Sequence, residues 1–297
     1  MNVVKPEHKP QQSVLITGAS SGIGMQLAKD YQAEGWQVFA CGRNQHALSQ
    51  LKGAELLVFD ITNNDEVKVQ AAIVKSKLSA PLDLVILNAG SCEYINDAVN
   101  FDGELFERVI RTNLIAMGYC LAAFTPLIAK GGRLALMGSS AVYLPFPRAE
   151  AYGASKAAVQ YLASSLAIDL KPHDIGVSVI CPGFVKTPLT DKNDFSMPMQ
   201  QTSEQASIAI RKGLHKGVRE IHFPKRFTLL LKFISLLPRG IWERLSSAPE
   251  SDDTSLIEDG TLDLPAKSKL QSSQSKSNQQ QIKDKKANPK EKQKVSP

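Results

Sequence analysis

Apolar residues fall along this chain in two alternating rhythms. Residues 14–17, 37–41, 55–59, 82–87, 133–138, 177–181 and 220–223 form short runs rich in Val, Ile and Leu, most of them apolar throughout. Runs of that length without in–out alternation predict strands buried on both faces. Between them, residues 22–34, 44–51, 63–78, 102–129, 151–171 and 203–216 carry helical periodicity. Strand–helix alternation this regular predicts an α/β fold: a doubly wound, parallel sheet of seven strands with helices on both faces. The pattern changes after Pro224. Residues 225–245 read as a helix broken at Pro238, with Phe227, Leu230, Leu231, Ile234 and Leu237 at helical spacing. Beyond Leu264 large apolar residues become rare. The expected organisation is a flexible N-terminus at 1–12, an α/β domain at 13–224, a helical extension at 225–248 and a basic tail at 249–297. The tail is too poor in apolar side chains to offset its chain entropy and is expected to be disordered.

Charge sharpens that division. The chain carries +6 in all, but residues 265–297 hold nine lysines against Asp284 and Glu291, a balance of +7 that leaves −1 for residues 1–264. The basic character therefore belongs to the tail and implies no nucleic-acid surface on the folded body. The four cysteines, Cys41, Cys92, Cys120 and Cys181, form no CxxC pair, and the five histidines show no metal-ligand spacing. A reduced, cytoplasmic protein without a metal is expected. No apolar stretch is long enough for a bilayer span, which needs about 20 residues.

The first strand runs into Thr17-Gly18-Ala19-Ser20-Ser21-Gly22-Ile23-Gly24, followed by a helix. Glycines here allow a tight turn and let a pyrophosphate reach the backbone, while the helix N-terminus offers free N–H groups. This is the dinucleotide-binding arrangement of the Rossmann type. The second strand ends Cys41-Gly42-Arg43. It lacks the acid that would bind a ribose 2′-hydroxyl, and Arg43 can pair with a 2′-phosphate, so NADP is the expected cofactor. Asp60, with Ile61 after it, is the expected contact at the adenine end, and Asn88-Ala89-Gly90 ends the fourth strand at the edge where such folds bind ligands. The same glycine stretch also reads as G-x-S-x-G, the nucleophile elbow of a serine hydrolase, with Ser20 as nucleophile and His173, His215 or His222 as base. No strand precedes it and no oxyanion loop is evident, which disfavours that reading.

Tyr152 and Lys156 lie four residues apart on a predicted helix and share a face. An ammonium beside the phenol is expected to lower its pKa, which makes Tyr152 a candidate acid/base. Ser139, just after the fifth strand, is placed to hydrogen-bond a substrate oxygen, and Asn113 falls inside the helix expected at 102–129, where a polar residue can hold a water or mark a kink. Together, the glycine turn, Asp60, Asn88-Ala89-Gly90, Asn113, Ser139, Tyr152-Gly153-Ala154-Ser155-Lys156 and Pro182-Gly183-Phe184-Val185-Lys186-Thr187 resemble the short-chain dehydrogenase/reductase family, in its single-domain branch, over residues 13–224. The resemblance implies that Tyr152 transfers the proton, Lys156 holds the nicotinamide ribose and lowers the Tyr152 pKa, Ser139 orients the substrate oxygen and Asn113 holds a relay water. It also implies that Gly18, Ser20, Ser21, Gly22, Ile23, Gly24, Asn88, Ala89 and Gly90 contact the dinucleotide, with Pro182, Gly183, Val185 and Thr187 beside the carboxamide. The expected function is NADP(H)-dependent interconversion of a carbonyl and an alcohol. A non-catalytic NADP-binding regulator is the other alternative, which an intact catalytic set disfavours.

The resemblance implies that the loop after Pro182 builds the substrate wall, and Phe184, Leu189, Phe195, Met197, Pro198 and Met199 make that wall apolar. Residues 225–245 read either as a helix docked over the cleft or at a subunit interface, or as an interfacial membrane helix, and docking is preferred. The resemblance implies a homo-oligomer formed through the helices expected at 102–129 and 151–171.

Overall fold

The structure, a computed structural model, describes residues 11–246. The expected tail at 249–297 and most of the expected flexible N-terminus lie outside the described residues. Seven strands form a single parallel sheet: β1 (Ser13–Thr17), β2 (Gln37–Gly42), β3 (Glu55–Val58), β4 (Leu82–Leu87), β5 (Ile128–Met137), β6 (Gly176–Pro182) and β7 (Glu220–Phe223), in the order β3-β2-β1-β4-β5-β6-β7. The order reverses between β1 and β4. That is the switch point where doubly wound sheets open a crevice at their carboxyl edge.

Helices cover both faces, as expected. They are α1 (Gly22–Ala33), α2 (Gln45–Leu48), α3 (Asn64–Lys77), α4 (Gly103–Ile110), α5 (Ala116–Phe124), α6 (Glu150–Asp169), α7 (Ser203–His215), α8 (Lys225–Ile234) and α9 (Arg239–Ser246). Successive strand residues point to opposite faces. Val14, Ile16, Val38 and Ile86 meet Leu27 and Tyr31 of α1 and Ile210 of α7 on one side. Leu15, Phe39, Val85 and Leu136 meet Val74 of α3, Phe124 of α5 and Val159 of α6 on the other. Both layers are dry, which explains why the strand sequences are apolar throughout. Cys41, Cys120 and Cys181 are buried among these side chains, and all four thiols are free.

The helix expected at 102–129 is corrected in two ways. A π-helical turn, Arg111–Ile115, divides it into α4 and α5, and it ends at Phe124. Pro126 has no N–H to continue the ladder. The chain tightens into a short 3₁₀ turn, Thr125–Leu127, and Ile128 then joins the sheet opposite Leu82. The helix expected at 44–51 shrinks to the single turn of α2, capped by Asn44, whose side chain accepts from Ala47 N–H at 3.0 Å.

Phe124 is completely buried between α5 and the sheet. Phe124→Ala is expected to remove about 3–5 kcal/mol of unfolding free energy in urea titration. Val69→Ala, at an exposed position of α3, is expected to shift it by no more than about 0.5 kcal/mol. Equal losses would show that the packing of this layer is not what stabilises the fold.

Candidate active site

The turn after β1 is built by close backbone approach. Gly18 has φ +70°, in the left-handed region. A Cβ on Gly24 would sit 2.3 Å from the Gly18 carbonyl oxygen and 2.5 Å from Asn88 Nδ2, so no side chain fits there. Asn88 Nδ2 donates to the Thr17 carbonyl at 2.9 Å and the Gly18 carbonyl at 3.3 Å. The N–H groups of Asn88 and Ala89 donate to Thr17 Oγ1 at 3.0 and 3.1 Å. These bonds stitch the ends of β1 and β4 together. Helix α1 begins at Gly22 with no side-chain cap from Ser21 and no acid in its first turn. Its first N–H groups and the positive end of its dipole are therefore left for an anion. A backbone cradle with no room for Cβ atoms, opening onto an uncapped helix, fits the pyrophosphate of a dinucleotide. Ser20 lies over Gly42 at the end of β2, and Ile23 packs against the core. Thr187, from the segment after β6, closes on Gly22 from the far side, and its backbone N–H donates to Thr190 Oγ1, which in turn donates to the Val185 carbonyl.

At the other end of this groove, Arg43 is 78% exposed and lies 3.5 Å from Asp60 Oδ2. Partial burial works against the Asp60 charge, but hydrogen bonds from the Thr62 N–H and hydroxyl, and then the Arg43 guanidinium, outweigh it and hold the carboxyl below its ordinary range. Ile61 packs against the core beneath. Arg43 and Asp60 are thus neighbours, and the exposed pair itself contributes no more than about 1 kcal/mol to folding.

Ser139, Tyr152 and Lys156 converge at the carboxyl edge of the sheet. Helix α6 carries Tyr152 and Lys156 one turn apart, with Lys156 Nζ 5.7 Å from the Tyr152 ring centroid. Lys156 is 3% exposed and donates to the Met137 carbonyl at 2.9 Å, so an ammonium there keeps two further N–H groups. Burial lowers its pKa to about 8. The Tyr152 phenol departs from expectation. Burial, and then the Cys92 thiol, push it above its ordinary value, while a hydrogen bond with Ser139 works the other way. The ammonium does not lower it here: Lys156 Nζ donates to the Met137 carbonyl and lies 5.7 Å from the centre of the Tyr152 ring.

Asn113 is completely buried at the π-helical turn. Its Oδ1 accepts from Ser91 N–H at 2.7 Å, and its Nδ2 donates to the Ser91 carbonyl at 2.9 Å and to Ser155 Oγ at 3.0 Å. The side chain thus clamps the post-β4 loop onto α6 and spends both amide N–H groups in doing so, so a water here would be met by the remaining lone pair of Oδ1 or by the backbone, whose carbonyl ladder a π turn shifts.

Three neighbours of this set carry no local sequence signal. Cys92 and Tyr94, just past Gly90, lie beside Tyr152 and are electrostatically coupled to it. The Tyr94 ring packs edge-on against Phe195 with centroids 5.4 Å apart, and Phe195 lies 6.1 Å from Phe184. Arg148, at φ +65°, bonds both carboxylate oxygens of Asp194 at 3.0 Å, bonds Asn96 at 2.9 Å and lies over the Tyr94 ring. It straps the loop after β4 to the loop after β6. Of the six residues expected in the apolar wall, Phe184 and Phe195 join this aromatic cluster. Leu189, Pro198 and Met199 face solvent, and Met197 Sδ accepts from Asn193.

The hydrolase alternative fails on topology. Ser20 lies at the carboxyl edge of the sheet, whereas His173, just before β6, and His215, at the end of α7 before β7, lie at the amino edge. His222 is bonded at Nδ1 to Thr228 and at Nε2 to Lys225.

A family model described as short chain dehydrogenase matches residues 12–196. An uncharacterized oxidoreductase of Myxococcus xanthus is 31% identical over 242 residues, covering 78% of this chain and 95% of the relative. A 3beta-hydroxysteroid dehydrogenase of Mediterraneibacter gnavus is 32% identical over 192 residues, covering 62% of this chain and 69% of the relative. Among solved structures, a short chain dehydrogenase from Burkholderia cenocepacia in complex with NADP superposes with a TM-score of 0.71 at 23% identity, covering 80% of this chain and 98% of that one. One from Burkholderia phymatum in complex with NAD superposes at 0.68 and 20% identity, covering 81% and 98%.

The lowered pKa of Lys156 has a sign that can be checked. The folded protein binds this proton less tightly than the unfolded chain, so the penalty is full below about pH 8 and is released as pH climbs toward 10.5. In protein without added nucleotide, Lys156→Met is expected to be more stable than wild type at about pH 7, with the gap closing by about pH 10 in urea titration. A gap that does not change with pH would remove the buried-charge account.

Proposed function

The chain belongs to the short-chain dehydrogenase family, and on that footing we propose that it is an NADP(H)-dependent oxidoreductase acting on a hydrophobic carbonyl/alcohol pair, with Tyr152 as the acid/base. The observation that carries this reading is the convergence of the Tyr152 phenol with Ser139 and the buried Lys156 beside the glycine turn. A nicotinamide bound in that groove would supply or accept the hydride. Ser139 holds the substrate oxygen next to the phenol. Tyr152, hydrogen-bonded to Ser139, is placed to give its proton to a carbonyl oxygen or to take one from an alcohol. Lys156 keeps donors for the nicotinamide ribose while it stays fixed on Met137. Asn113 fixes the post-β4 loop to α6 and holds the water that returns the proton to Tyr152. Gly18, Gly22 and Gly24 receive the pyrophosphate, Asn88, Ala89 and Gly90 lie along it, and Pro182, Gly183, Val185 and Thr187 face the carboxamide.

Arg43 supports the preference for NADP, because it occupies the end of β2 where an NAD enzyme places an acid. The NADP and NAD complexes of the two Burkholderia proteins make this the point that most needs a direct test. The cluster of Tyr94, Phe184 and Phe195 supports an apolar substrate, and the hydroxysteroid dehydrogenase named above acts in that chemical range. Four free thiols support a reducing, cytoplasmic setting. The outward Tyr161 and Ile168 of α6 support a homo-oligomer through that helix.

Titration of the purified protein with NADPH and NADH is expected to show tighter binding of NADPH. Arg43→Ala is expected to weaken NADPH about tenfold or more, because it removes hydrogen bonds to a charged group, and to leave NADH unchanged. Tighter binding of NADH, unaffected by the substitution, would reassign the cofactor to NAD, equal binding of both would remove the preference for NADP, and no binding of either would end the dehydrogenase reading. Tyr152→Phe is expected to lower kcat by about 10²–10⁴-fold with NADPH affinity retained. Across a panel of fatty ketones and polar sugars, turnover is expected to favour the ketones, and a preference for sugars would refute the apolar pocket.

A further inference from the structure

Helix α8 was expected to present one apolar stripe of Phe227, Leu230, Leu231, Ile234 and Leu237. The structure splits that stripe. Phe227 and Leu231 turn inward and pack with Leu144, while Phe184, Ile234 and Trp242 close the same cluster. Thr228, fully buried, bonds His222 Nδ1 at 2.7 Å, and Lys232 is fixed by Glu220 at 3.0 Å and by the Tyr143 ring, 4.9 Å from its centroid. Helix α9 is fastened by Trp242, whose Nε1 donates to the Pro145 carbonyl. With the inner face satisfied, the outer side is apolar and open: on α8 Leu229 is exposed, Leu230 is 50% exposed and Phe233 63%, Leu236 in the turn that follows is 83% exposed, and Ile241 and Leu245 of α9 are exposed. Arg226 on α8 and Arg239 and Arg244 on α9 are exposed as well, and Glu243 is the only acid between residues 225 and 246.

We propose that the outer face of α8 and α9 is a docking surface for a bilayer of anionic phospholipid, with Leu230, Phe233 and Leu236 entering the headgroup–acyl boundary and the arginines meeting the phosphates. Charge selects this occupant. An apolar surface that also carries exposed cations is the composition that binds anionic interfaces. A second copy meeting the same face across a two-fold axis would set arginines against arginines. Residues 265–297 carry +7 and few apolar residues, so they complement neither the charge nor the surface. Among the described residues no helix is long and apolar enough to cross a membrane, so the contact lies in the plane of the surface. Phe227, on the inner face of the same helix, lies 5.6 Å from Phe184. Docking would therefore bring the aromatic wall of the cleft close to the lipid.

The test is flotation of the full-length protein with vesicles of mixed phosphatidylcholine and phosphatidylglycerol, and with pure phosphatidylcholine, at low and high salt. It does not depend on activity, so it stands or fails separately from the dehydrogenase reading. Wild type is expected to float with the anionic vesicles only, and less so in high salt. Leu230→Ser with Phe233→Ser, both at solvent-facing positions, is expected to weaken partition about tenfold or more, given the apolar area withdrawn, with thermal unfolding unchanged. Wild type that stays unbound overturns the proposal. So does a double variant that floats as wild type does, which would assign binding to the basic sequence at 265–297. A double variant that changes only the sedimenting mass overturns it in favour of a second copy.

Discussion

The carboxyl edge of the sheet depends on a place where no side chain can stand. Gly24 meets the Gly18 carbonyl and the Asn88 amide so closely that the backbone of the first turn rests directly on the end of β4. Everything that defines the cleft is referenced to that contact. Thr17 Oγ1 receives the N–H groups of Asn88 and Ala89, so the loop that continues to Ser91 starts from a fixed point. Asn113 grips Ser91 and ties that loop to Ser155, one residue before Lys156. A displacement of the glycine turn is thus passed by hydrogen bonds through the post-β4 loop to the helix that carries the proton-transfer groups.

The electrostatics of the site follow from this tight assembly. Lys156 is shut away from water and Tyr152 is half-buried, and burial moves the two in opposite directions, toward a neutral amine and a neutral phenol. A charge brought in between them is felt strongly by both, because little solvent is present to screen it. The polar edge near Arg43 and Asp60 is the reverse case, wet and weakly coupled, suited to recognition rather than to moving protons.

Much of this could be read before the fold was known, for identifiable reasons. The strands announce themselves because both their faces are dry, and Gly18, Ser139, Tyr152 and Lys156 announce themselves because their chemistry requires a fixed order and spacing. The end of α5 is not legible in the pattern, because residues on either side of Pro126 are equally apolar, and an apolar run serves a helix and a buried strand alike. Tyr94, Cys92 and Arg148 were missed because their partners lie on distant segments, so nothing local marks them. The direction of the apolar side chains on α8 was also beyond periodicity. That helix is apolar on more than one side, and only the contacts of Phe227 and Leu231 decide which side turns inward.

Gly183 carries one more consequence. A Cβ there would lie 2.9 Å from Phe227, so the aromatic ring rests directly on the backbone that follows β6. The ring acts as a key in a slot. A roll of α8 about its own axis toward Gly183 would drive Phe227 into that backbone, and the Lys232 contacts with Glu220 and the Tyr143 ring oppose other rotations. The helix is therefore held at a set angle to the sheet. Whatever meets its outer side meets a rigid, oriented surface whose position is indexed to the strand end beside the catalytic edge.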